Sequence, residues 1–162
     1  MGFALSDMQL TSPAFESGDA IPTRFSAYGD SVSPPLEWAD APGGSRSFAL
    51  FVHDPDAPLA APDGTYGFVH WVLYNIPGAV TSIEEGSTGY TPGTNQNGEA
   101  AYYGPRPPEG HGVHHYFFGL LALDRAPGLT AGLTLWQLLE LVEPNVLGMN
   151  RLVGTYSEHA NA

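Results

Sequence analysis

The stretch Phe68-Val69-His70-Trp71-Val72-Leu73-Tyr74-Asn75 decides the fold class. Its β-branched and aromatic residues suit a pleated strand, and apolar side chains stand at both alternating positions, as in a strand covered on both faces. Ser47 to His53 and Tyr116 to Leu123 read the same way, and Leu152 to Tyr156 is a shorter strand near the C-terminus. The first three are the expected central strands. Twenty Gly and fifteen Pro interrupt the chain too often for a helical protein, so the class is mainly β. One helix is expected from Leu135 to about Val142, where Leu135, Leu138, Leu139 and Val142 recur at helical spacing. Thr134 and Gln137 form a capping-box pattern at its start, and Pro144 resists its continuation.

With 162 residues, 43% of them hydrophobic, the chain can bury a sizeable core and is too short to make two domains the natural reading; a single domain, 1–162, is expected. Five Arg, no Lys and seventeen acidic residues give a net charge of -12, which repels nucleic acid and anionic membranes over most of the surface. Any anion must therefore be held by local donors. The absence of cysteine excludes disulfides, thiol catalysis and cysteine-ligated metals. Met1 to Leu10 shows neither a secretory signal nor a transmembrane helix, so a cytoplasmic location is the expectation.

The polar chemistry concentrates in two segments. Asp54-Pro55-Asp56-Ala57-Pro58 ends one buried strand, with His53 before it and His70 in the next strand. Asp and Pro are turn formers, but two carboxylates beside two imidazoles also make a cluster in which Asp accepts from a His N–H and fixes its tautomer. The second segment, Gly104 to Tyr116, is a Pro-stiffened loop running into a strand. His114 and Tyr116, two apart, share a strand face. His111, His114 and His115 raise the question of a metal, but adjacent strand residues point to opposite faces and no cysteine completes a ligand set, so no metal or other cofactor is expected. A Gly-x-Ser-x-Gly elbow is absent, so no catalytic residue is assigned. Glu85 to Tyr103 is a long polar loop of the kind that often carries function, and Tyr102, Tyr103 and Tyr116 are candidate pocket walls.

These residues resemble the phosphatidylethanolamine-binding protein family, also called Raf kinase inhibitor-like proteins, in its compact bacterial and archaeal branch. The likeness runs through Ser33-Pro34-Pro35-Leu36-Glu37-Trp38, Asp54 to Pro58, His70 to Pro77, Gly104 to Tyr116, Ala122-Leu123-Asp124 and Leu152 to Tyr156. It implies a β-sandwich-like fold with one or two short helices and a small cavity for an anion such as phosphate, acetate or a phosphorylated, phospholipid-like head group. Asp54, Asp56, Pro58, His70, Gly104, Pro107, His114 and Tyr116 match the residues that would form it. The implied role is binding without catalysis; regulation of a kinase or peptidase is the alternative, a histidine- or metal-dependent hydrolase ranks below it, and a homodimer is also implied. One position departs from the family pattern: His115 stands where Arg is usual, so a fixed cation becomes a titratable ring.

Overall fold

The computed structural model describes residues 3–60 and 66–158, so both ends of the expected 1–162 domain lie outside the described residues. The chain forms strands β1 (Gln9–Thr11), β2 (Leu36–Ala39), β3 (Ser47–Asp54), β4 (Phe68–Pro77), β5 (Ser82–Ile83), β6 (Thr91–Pro92) and β7 (His114–Leu123), helix α1 (Leu135–Val142) and strand β8 (Val146–Tyr156). They build two antiparallel sheets, one ordered β6-β4-β3-β7-β8 and the other β1-β2-β5. The protein is mainly β, with one short α-helix and two single-turn 3-10 segments.

The double-sided apolar pattern of β3, β4 and β7 has two causes. On one face Phe48, Leu50, Val52, Trp71, Leu73, Phe118 and Leu120 share a buried cluster with Leu10, Leu36 and Trp38 of the smaller sheet. On the other, Ala49, Val72, Tyr74, Leu121 and Leu123 pack with Leu135, Leu138 and Val142 of α1. Each central strand is thus roofed by a sheet and floored by a helix, which removes apolar surface from water on both sides. Gly119 makes room within the sheet for the ring of its cross-strand partner Phe51: a Cβ there would lie 2.3 Å from that ring.

Alternation breaks once where it matters. Val52 pairs with Trp71 but His53 pairs with Val69, which leaves His70 as the extra residue of a β-bulge. Val69 consequently joins the helix-side cluster and Trp71 the inter-sheet cluster, although they are two residues apart. Strand β8 is longer than its apolar pattern suggested. Its first half, with Gly148, Asn150 and Arg151, is held as strand by the ladder to β7 rather than by its own propensity.

The helix is eight residues long, too short to persist alone, and depends on its start being closed. Gln137 N–H donates to the Thr134 hydroxyl while the Gln137 side-chain carbonyl accepts from Thr134 N–H, satisfying two otherwise free amides. Thr134→Ala is expected to cost about 1 kcal/mol in urea denaturation, with the slope of the transition unchanged.

Candidate functional site

The turn after β3 is organised by one carboxylate. Asp54, almost fully buried, accepts Asp56 N–H on Oδ1 at 2.8 Å and His114 Nδ1–H on Oδ2 at 2.7 Å. The first bond closes the Asp-Pro-Asp turn and the second ties it to the start of β7. Asp56 faces outward instead. Its Oδ2 accepts both His115 N–H at 2.7 Å and His115 Nδ1–H at 2.8 Å. Two aspartates separated by one proline therefore grip two adjacent histidines, one pair inward and one pair at the surface. Burial alone would raise the Asp56 carboxyl; the ring and backbone hydrogen bonds from His115 outweigh it and hold the group below its ordinary value.

His70 enters from the bulge. Its Nδ1–H donates to the Tyr103 carbonyl at 2.7 Å, while Tyr103 N–H donates back to the His70 carbonyl at 3.0 Å. The ring stacks on Tyr103 at 5.8 Å, meets Tyr116 edge-on at 5.2 Å and lies 4.7 Å from Phe68. Three aromatic neighbours strip it of water, and that burial lowers its pKa from 6.5 to about 4, against the raising effects of the Tyr103 carbonyl and Asp54.

Both inward histidines have their tautomer fixed by an acceptor that carries no proton of its own. Nδ1 must hold the hydrogen, and Nε2 of each ring is left without a protein partner among the described residues. The Tyr116 hydroxyl is buried beside the Asp54 carboxylate and makes no hydrogen bond of good geometry with the described residues. Burial pushes this phenol up, and the neighbouring Asp54 charge adds to the effect.

These groups line one cavity of about 290 Å³, with Phe68, Tyr103, Pro58, Leu59 and Pro107 among its apolar walls. Of the eight residues singled out in the sequence, Asp54, Pro58, His70, Pro107, His114 and Tyr116 line it, whereas Asp56 and Gly104 do not. Gly104 acts through backbone packing: a Cβ there would sit 2.4 Å from the Phe25 carbonyl oxygen. His115 is likewise outside, and Tyr102 turns away, its hydroxyl donating to the Phe25 carbonyl at 2.7 Å. Arg106 and His111 do reach the cavity, the His111 ring stacking on His114 at 5.7 Å. Asn97 was not legible in the sequence. It is set in place by Asn95, whose buried side chain accepts from Asn97 and Glu99 N–H and donates to the Ala101 carbonyl. Among the described residues, no group of three or more His, Asp or Glu is arranged to hold a metal ion. A second cavity, of about 390 Å³, lies elsewhere over Trp71 and Tyr102, with hydroxyls of Ser31, Ser33, Ser87 and Thr88 and no histidine or arginine.

A family model described as phosphatidylethanolamine-binding protein matches residues 11–157. The chain belongs to the phosphatidylethanolamine-binding protein family. It is 40% identical over 156 residues to the UPF0098 protein of Methanothermobacter thermautotrophicus, covering 92% of this chain and 98% of that one. A solved structure of a candidate phosphatidylethanolamine-binding protein homologue from Chlamydia trachomatis superimposes with a TM-score of 0.85 at 37% identity, covering 93% of this chain and 97% of that one. A Mycobacterium tuberculosis protein named as a candidate lipoprotein, LppC, is 39% identical over 155 residues, covering 94% of this chain and 74% of its own length. In the present family member no helix among the described residues is long and apolar enough to cross a membrane.

The lowered pKa of His70 has a consequence for stability. The unfolded chain binds this proton near pH 6.5 and the folded one only near 4, so the folded state is disfavoured as pH falls through that window and unaffected above it. In this family member the loss from pH 7 to pH 4 should exceed that of His70→Gln by on the order of 3 kcal/mol in chemical denaturation. Equal losses would show that the ring is not held neutral.

Proposed function

We propose that the cavity binds a small anion, phosphate or the phosphorylated head group of a larger molecule, without catalysing its conversion. The observation that carries this reading is the convergence of three polar atoms without protein partners, Nε2 of His70, Nε2 of His114 and the Tyr116 hydroxyl, on one cavity. A buried hydroxyl left unpaired costs stability, so a site that keeps one is built for an occupant. Charge supports the anion over the cation. Of five Arg and six His in a chain of net charge -12, four line this cavity, and among the described residues its one lining carboxylate, Asp54, is already engaged by His114 and the Asp56 amide.

The tautomers add a requirement. With Nδ1 carrying the hydrogen, a neutral ring offers Nε2 as an acceptor, which repels an anion's oxygen; only the imidazolium offers a second donor. His70 is neutral at pH 7 in the free protein, so an anion that contacts it must draw a proton onto the ring. His114 is placed differently, since its imidazolium would be paired with Asp54. The Asp54–His114 pair also has the form of a general base, but among the described residues no Ser, Thr or Cys nucleophile lines the cavity, which favours holding over hydrolysis.

Sulfate separates the protein's titration from the ligand's because it stays a dianion across this range. Calorimetry should show phosphate and sulfate binding, with sulfate affinity rising by up to about tenfold per unit fall in pH between 8 and 5 as a proton is taken up. His70→Ala and His114→Ala should each weaken it by roughly tenfold or more. Absence of binding, or binding indifferent to both substitutions, would sink the proposal.

A further inference from the structure

The cavity has two separate sets of anion-complementary groups. Its floor is formed by His70, His114 and Tyr116, while Arg106 and His111 arrive from the exposed Gly104 to Tyr116 loop. Arg106 is held there by its neighbours: the guanidinium lies 6.0 Å from the Tyr28 ring centroid, and the Tyr28 hydroxyl donates to the Pro107 carbonyl at 2.7 Å. Among the described residues, Arg106 makes no ion pair; its polar partners are the side chains of Tyr103 and Tyr28, so its charge is not neutralised by a carboxylate. His111 is fixed by stacking on His114 and by its N–H, which donates to the Pro108 carbonyl at 3.1 Å. Among the described residues the one carboxylate lining the cavity is Asp54, which is engaged by His114 and the Asp56 amide rather than by these two.

Size separates the two sets. A volume near 290 Å³ corresponds to roughly ten waters, and a sphere of that volume is about 8 Å across, so one phosphate on the floor leaves room for more atoms toward the mouth. What those atoms carry is set by the far group they meet. An ammonium there would face the exposed Arg106 guanidinium at the mouth and be repelled, whereas a carboxylate or second phosphate would be clasped by the fork.

We propose that Arg106 makes this cavity selective for short molecules bearing two anionic groups, and selects against a phosphorylated amine of the same length. The inference rests on the anion reading of the floor. It departs from what the family's name suggests, because the ethanolamine head group ends in an ammonium. It also runs against the protein's overall charge, which penalises the more negative ligand, so the preference must be local.

Phosphoglycolate and phosphoethanolamine are suited probes, since both place two carbons beyond a phosphate and end in opposite charges. By calorimetry at pH 7 and low salt, the wild-type protein should bind phosphoglycolate at least about tenfold more tightly than phosphoethanolamine. Arg106→Gln should narrow the gap to within about threefold, chiefly by weakening phosphoglycolate, and Arg106→Glu should invert it. Equal binding of the two probes by the wild-type protein, or a preference that survives Arg106→Glu, overturns the inference while inorganic phosphate binding keeps the floor reading intact. If inorganic phosphate and both probes fail to bind the wild-type protein, floor and mouth readings fall together.

Discussion

The hydrogen bond from His114 Nδ1 to the buried Asp54 carboxylate is the constraint on which the site depends. It joins the last residue of β3 to the first of β7, and the same carboxylate closes the turn that carries Pro58 and Leu59 to the cavity wall. A buried carboxylate is tolerated only when its oxygens are satisfied, and here both are. The satisfaction has a chemical by-product. Because Asp54 can only accept, it orders the His114 tautomer, and so decides which nitrogen is left for an occupant.

His70 reaches the same place by another route, and that route explains the polarity of the site. A regular strand would have continued the strict alternation of β4 through residue 70; the bulge takes His70 out of the pairing with β3. The ring is then enclosed by Phe68, Tyr103 and Tyr116 and anchored by a carbonyl, which is neutral, where His114 is anchored by a carboxylate. Two histidines at one cavity thus differ in what stands behind them: one is backed by a negative charge, the other by a dipole in an apolar cage. Pairs of titratable groups placed in unlike environments are the usual means of dividing proton-bearing roles.

Much of the fold was legible because burial on both faces leaves a composition signal. β3, β4, β7 and the α1 boundaries all follow from apolar spacing and from Thr134, Gln137 and Pro144. The first half of β8 was not, since Gly148, Asn150 and Arg151 become strand through the β7 ladder, a non-local effect. In the site, the two aspartates and the strand histidines stood out by type, yet type could not say which aspartate serves which ring. β3 ends at Asp54, which faces inward, and the turn that follows sends Asp56 out to His115; Gly104 is demanded by the nearby Phe25 carbonyl rather than by the cavity. Asn97 left no mark in the sequence because its place depends on Asn95, two residues earlier, folding the loop around its own side chain.

The same geometry relocates the meaning of His115. A ring in place of the guanidinium usual at this position looks at first like a lost cation at the anion site, but residue 115 points away from the cavity and grips Asp56 through ring and backbone together. The backbone N–H bond is independent of which side chain is present, so the turn keeps one of its two anchors whatever the ring's charge. Both partners are about half exposed, where an ion pair contributes little and is screened by salt. The substitution therefore bears on how the outer turn is fastened, and the fixed cation at the cavity is Arg106, which is set by the loop before β7 instead.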